Sequence, residues 1–143
     1  MQLTMPKDIK SIVIASHNEG KVREIRSLLD PYGYKIISAK KLGINEPIEN
    51  GMTFSENSLI KSRNAAKKSG LVALADDSGL CVNSLNYRPG IYSARWAGKN
   101  KDFGMAMKKI QKLMEKNDLL SKYNRRAFFV CSLSVYFPDG KNK

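Results

Sequence analysis

The sequence predicts an α/β fold. Short uninterrupted apolar runs at residues 11–15, 35–38 and 71–75 read as strands, the first with the composition of a strand buried on both faces. Between them lie stretches whose apolar residues recur at helical spacing. Leu, Ile, Val and Phe number 13, 11, 6 and 5, or 35 of 143 residues, which is more than a disordered polycation carries and enough for a core.

Each element follows from local chemistry. Ser11-Ile-Val-Ile-Ala15 is the first strand. The polar segment Ser16-His-Asn-Glu-Gly-Lys21 then leads into a helix whose Val22, Ile25, Leu28 and Leu29 share a face and which Pro31 and Gly33 end. Residues 35–38 form a second strand, and the Gly, Asn and Pro content of residues 40–51 makes them a loop. Thr53-Phe-Ser-Glu56 fits a capping box and opens a helix to about residue 68, with Gly70 as its stop. The strand at 71–75 is expected to break at Asp76-Asp-Ser-Gly79, with another strand over 80–85. Residues 86–98 read as a loop with a Pro89-Gly90 turn. Asp102 caps a helix that places Phe103, Met107, Ile110, Leu113 and Met114 on one face. A long strand over 126–137 ends at the turn signal Pro138-Asp-Gly140.

With no repeat or low-complexity linker, residues 1–143 are expected to form one domain. Cys81 and Cys131 offer neither a disulfide framework nor a paired-thiol metal spacing, and both read as reduced core residues. The Met105, Met107 and Met114 set also reads as core. The first ten residues lack a signal-peptide core and no run of 18 apolar residues occurs, so the expectation is a cytoplasmic protein with no membrane span. The net charge of +12 points either to an anionic partner or to a merely lysine-rich solvated surface. The excess is concentrated in residues 99–143, which hold 11 basic and 4 acidic side chains.

Two segments carry candidate chemistry. Ser16–Lys21 joins a buried strand to a helix, where α/β sheets bind ligands and where helix-terminal amides suit a phosphate. Gly20 permits close approach, Lys21 supplies a point charge, and Ser16 and Asn18 add hydrogen bonds. The same residues would also serve as an ordinary polar turn. The second segment delivers Asp76 and Asp77 to a strand end, where neighbouring carboxylates repel unless a cation compensates; Mg²⁺ suits them, with Glu49 and Glu56 completing an oxygen-rich site. Asp-Asp-Ser-Gly is equally good turn chemistry. His17 is the only histidine, which removes a His-based zinc cluster and a Ser-His-Asp triad, and it reads as a loop residue. Lys61 and its neighbours read as a solvated helix face, although Lys61 could turn towards a phosphate. Tyr92, Arg95 and Trp96 could stack on a base or pack on the sheet.

In order along the chain, Ser16-His-Asn-Glu-Gly-Lys21 with Glu24, Glu49-Asn-Gly-Met-Thr-Phe-Ser-Glu-Asn57 with Lys61, Ala75-Asp-Asp-Ser-Gly-Leu80, Pro89-Gly-Ile-Tyr-Ser-Ala-Arg-Trp-Ala-Gly98 and Arg126-Ala-Phe resemble the inosine triphosphate pyrophosphatase family. The resemblance implies an elongated mixed β-sheet flanked by helices and a homodimeric, cytosolic, Mg²⁺-dependent enzyme. Its substrates would be nucleotides: ITP, dITP and XTP, cleaved to the monophosphate and pyrophosphate. By position, Ser16, His17, Asn18, Glu19, Gly20 and Lys21 would bind the triphosphate. Glu49 and Asp77 would hold the metal, Asp77 would also accept the proton of the attacking water, and Ser78 would touch substrate, with Asp76, Glu56 and Lys61 beside them. Members of that family continue past the position of Lys143 into a Gly-Phe-Gly-Tyr-Asp block, a later Lys and a Ser-His-Arg block that grip the purine. The expectation is therefore a C-terminally truncated pyrophosphatase domain. Its alternatives are an inactive or poorly specific relative and a basic nucleic-acid-binding module, the last disfavoured because no aromatics interleave with the lysines.

Overall fold

The structure, a computed structural model, describes residues 9–119 and 121–140. The expected leaderless N-terminus over residues 1–8 and the residues 141–143 after the last turn lie outside the described residues. The chain divides into two compact units. The first comprises Met1–Gly51, Ser55–Asp76 and Leu133–Lys143, the second Met52–Phe54 and Asp77–Ser132.

The α/β expectation holds. Four strands, β1 (Ser11–Ile14), β2 (Lys35–Ser38), β3 (Val72–Val82) and β4 (Ala127–Tyr136), form a mixed sheet in the order β2-β1-β3-β4. In the first unit β1 runs parallel to both neighbours, with Val13 opposite Ile37 on one side and Ala73 on the other. Parallel neighbours need crossovers, and these are α1 (Glu19–Leu29) and α2 (Phe54–Ser69). Alternation along β1 sorts the two faces. Ile12 and Ile14 pack with Val22 and, beside them, Ile25 and Leu29 of α1, while Val13 and Ala15 pack with Ala65 and Ala66 of α2. Each face thus buries its own helix, at about 1.5–3 kcal/mol per fully buried large aliphatic side chain. Leu28, expected on the apolar face of α1, is exposed instead.

α2 is fastened to the sheet by hydroxyls as well as by alanines. Ser58 Oγ lies 3.2 Å from the carbonyl oxygen of Ala75 and 2.7 Å from Ser134 Oγ, and Ser62 Oγ lies 2.8 Å from the same Ser134 Oγ. All three serines are buried. Buried polar groups that satisfy one another in this way cost little and define how the elements seat.

In the second unit, α4 (Phe103–Lys116) begins at Asp102, whose Oδ1 accepts from Met105 N (3.0 Å), as the sequence predicts. Its Met114 joins Val82 and Leu85 in a core that Leu80, Ile110 and Leu113 extend. Met105 and Met107 do not belong to that core: both are exposed, Met107 at 63%, and so is Phe103 at 54%. The buried side of α4 is Ala106, Ile110, Leu113 and Met114, a narrower arc than the apolar residues of the sequence suggest. The predicted loop over 86–98 contains a short helix, α3 (Ser93–Trp96), preceded by the 3₁₀ turn Gly90–Tyr92. Cys81 is buried as expected, whereas Cys131 is exposed on β4. Alternation explains the difference, because Phe129, Cys131 and Leu133 occupy one exposed face of the strand. Among the described residues no helix is long and apolar enough to cross a membrane.

One correction bears directly on the chemistry. β3 does not break at Asp76-Asp-Ser-Gly79 but continues through it as a single strand of 11 residues. The turn propensity of Asp, Ser and Gly is local and weak, and it loses to ladder hydrogen bonds and close packing. Gly79 shows the packing: a Cβ built there would sit 2.3 Å from the carbonyl oxygen of Gly90 and 2.7 Å from Ser93 Oγ. Ser93 Oγ in turn accepts from Leu80 N (2.9 Å) and donates to that carbonyl (2.7 Å).

Candidate active site

In the strand order β2-β1-β3, the chain leaves β1 towards one neighbour and returns past it to the other. Parallel sheets bind ligands at such a switch point, beyond the carboxyl ends of the two diverging strands. Here that place lies between the end of β1 and the middle of β3.

The segment after β1 is ordered by its own side chains. Ser16 Oγ accepts from Asn18 N (3.1 Å), and Asn18 Oδ1 accepts from Gly20 N (3.0 Å) and Lys21 N (3.2 Å). Asn18 is therefore the N-cap of α1, which starts at Glu19, earlier than the apolar spacing beginning at Val22 suggests. His17 Nε2 donates to the carbonyl of Ile44 (2.7 Å), tying this segment to the loop after β2. The histidine lines a small cleft with Ala15, Ala39, Ile44 and Lys61.

Two lysine–carboxylate pairs stand in the first unit. Lys21 Nζ is 2.6 Å from Asp76 Oδ2, joining the first turn of α1 to β3. Lys61 Nζ is 3.5 Å from Glu49 Oε1, joining α2 to the loop before it. Each lysine is thus held beside a carboxylate; Lys61, expected on a solvated face, has a side chain only 13% exposed. The lysine-rich end of α2 beyond it, Lys67 and Lys68, is exposed as expected.

Asp77 and Ser78 belong to the second unit, and Asp77 is buried. Because β3 is continuous, successive side chains leave it on opposite faces, so Asp76 and Asp77 are not the side-by-side pair of carboxylates that a strand-end turn would make. Among the described residues no group of three or more His, Cys, Asp or Glu side chains gathers into a metal-binding cluster. The individual donors nonetheless suit a hard divalent ion, being carboxylate oxygens, and Mg²⁺ needs only one or two of these when water and phosphate oxygens fill the rest.

Sequence reasoning missed Asn57. It is 1% exposed, and its Oδ1 accepts from Gly51 N (2.8 Å), two residues after Glu49. The block Glu49–Asn57 held the signal, but a helical Asn reads as surface until the loop is seen to fold back on it.

A match to a known family runs over residues 12–143. The chain belongs to the Ham1 family. The family resemblance drawn from the ordered motifs therefore holds. Among curated proteins the chain is 56% identical over 130 residues to the dITP/XTP pyrophosphatase of Zymomonas mobilis, covering 90% of this chain and 61% of that one. Two solved Ham1 structures superpose well. The HAM1 protein from Coxiella burnetii gives a TM-score of 0.79 at 39% identity, covering 89% of this chain and 63% of that one. The Staphylococcus aureus Ham1 protein gives 0.76 at 42% identity, covering 94% and 67%. The chain spans about three fifths of the length of the curated Ham1 relatives it matches.

Proposed function

We propose that this chain carries the phosphate- and metal-handling part of a pyrophosphatase domain that hydrolyses non-canonical purine nucleoside triphosphates. The observation that carries this reading is the Lys21 ammonium, set at the first turn of α1 at the switch point of the sheet and held there by Asp76. The relatives' names supply the substrate class: dITP and XTP, to which the motif resemblance adds ITP.

In this reading water attacks the α-phosphorus, the bond to the β-phosphate bridging oxygen breaks, and the monophosphate and pyrophosphate leave. Little covalent chemistry falls to the protein; charge neutralisation and placement of the water dominate. Lys21 moves from its carboxylate to the incoming phosphates, assisted by Ser16, by the Glu19 amide and by the close approach that Gly20 allows, while Asn18, capping the Gly20 and Lys21 amides, and His17 hold the turn. Lys61 makes the corresponding exchange from Glu49. Ser78 touches substrate, and Asp77 orients the attacking water and takes its proton. Mg²⁺, held by Glu49 and Asp77, would neutralise phosphate charge when bound. The same resemblance supports a cytoplasmic homodimer.

The test is pyrophosphate release from dITP, XTP and ITP, with dGTP and ATP as controls, in the presence of Mg²⁺. The wild type should release pyrophosphate from the first three, and Asp77→Asn should be slower by about 10²- to 10⁴-fold, the usual worth of a positioned general base. Equal rates for wild type and variant, or no release at all, would sink the reading.

A further inference from the structure

Around Glu49, two of the loop's attachments to α2 are one helical turn apart. Asn57 accepts from Gly51 N through Oδ1, and Lys61 pairs with Glu49. Positions i and i+4 lie on one helix face, so a single face of α2 grips residues 49–51 at both ends. The contact at Gly51 is close: a Cβ there would meet Asn57 Oδ1 at 2.6 Å and Glu56 Cβ at 2.7 Å. Asn57 is almost fully buried, and its Nδ2 makes no hydrogen bond among the described residues. A buried amide with half its capacity unmet is a poor way to fill a core, so the Oδ1 contact to the loop is what this side chain contributes.

From this geometry we infer that Asn57 is a positioning residue: it fixes the backbone at Gly51 and thereby the direction in which Glu49 presents its carboxylate. Lys61 supplies the matching electrostatic restraint, but a charge pair at 3.5 Å tolerates rotation that a 2.8 Å hydrogen bond to a backbone amide does not. The inference deepens the proposed function and rests on it only for the role of Glu49.

A double-mutant cycle separates this from a plain stabilising contact. Pyrophosphate release and Mn²⁺ affinity are measured for wild type, Asn57→Ala, Glu49→Gln and the double variant, alongside hydrogen exchange of the Gly51 amide. Asn57→Ala should speed that exchange about tenfold, the equivalent of one lost hydrogen bond. It should also lower kcat and Mn²⁺ affinity by roughly 10- to 100-fold, the usual range for a residue supporting a ligand. In the Glu49→Gln background the same substitution should cost nothing further in either quantity. Additive losses would overturn the inference, as would unchanged exchange at Gly51. Should Asn57→Ala fail to fold, Gly51→Ala enters the cycle in its place, because its Cβ displaces the same contact. The exchange measurement needs no turnover, so a wild type without activity would sink the proposed function while leaving this loop attachment to be judged on its own.

Discussion

Lys21 and Asp76 are 55 positions apart in sequence and 2.6 Å apart in space, and they close the point at which β1 and β3 diverge. The aspartate side chain is 9% exposed and the lysine 38%. A carboxylate so little hydrated depends on its partners, and the lysine keeps one side towards water. The pair therefore fixes a cation at the mouth of the switch point without sealing it away from an arriving anion.

Lys21→Met keeps the aliphatic stem and removes the charge. We expect a loss of about 1–2 kcal/mol in denaturant unfolding, less than for a fully buried pair because the lysine is partly hydrated. Asp76→Asn should cost less, since the charge that then loses its partner is the partly hydrated lysine and not the buried carboxylate. The two together should fall short of the sum, which a double-mutant cycle in urea would read.

Gly79→Ala places a methyl against the Gly90 carbonyl and Ser93 Oγ at distances no real Cβ adopts. Both neighbours are held by the hydrogen bonds around Ser93, so relief requires a backbone shift. The expected cost is about 1–3 kcal/mol or more, seen as a lower urea midpoint at unchanged m.

The two cysteines should differ in reactivity. Burial raises the Cys81 thiol above its ordinary value of 9.0, whereas Cys131 is exposed. Iodoacetamide near neutral pH should label Cys131 alone until the chain unfolds. The sign of the stability effect follows: above pH 9.0 the unfolded thiol gives up its proton while the folded one keeps it, so stability falls as pH rises through that value. Cys81→Ser, which does not ionise there, should flatten that decline.

Ser134→Ala deletes the hydroxyl shared by Ser58 and Ser62. Each of these retains a backbone acceptor, Ala75 for the first and Leu59 for the second. The expected loss is therefore only about 1 kcal/mol in thermal or urea unfolding. A loss well beyond that would mean that the three hydroxyls act as a cooperative unit.

Elements whose signal is local were legible in the sequence. β2 falls on Lys35–Ser38 as expected, and Asp102 caps α4, because a short apolar run and a capping side chain need nothing from the rest of the chain. The Ser16–Lys21 segment was legible for the same reason, its residues bonding to one another. The misreadings named here involve partners outside the element that was read. Asp76-Asp-Ser-Gly79 has turn composition, yet the sheet and the Gly90 carbonyl decide its path. Met107 and Cys131 are apolar, but which face of α4 or β4 is covered depends on what packs there. Asn57 acquires its role only when Gly51 returns to it.

Ser134 also works as a registration pin. A slip of β4 by one residue would bring Leu133 or Val135 opposite Ser58 and Ser62, stranding two buried hydroxyls against a hydrocarbon and turning the exposed Leu133 inward. β4 carries no charged residue and no proline, so little else in its own sequence penalises a wrong pairing. β4 thus finds its place by the matching of three small alcohols, a lock-and-key of polarity set inside an otherwise interchangeable apolar ladder.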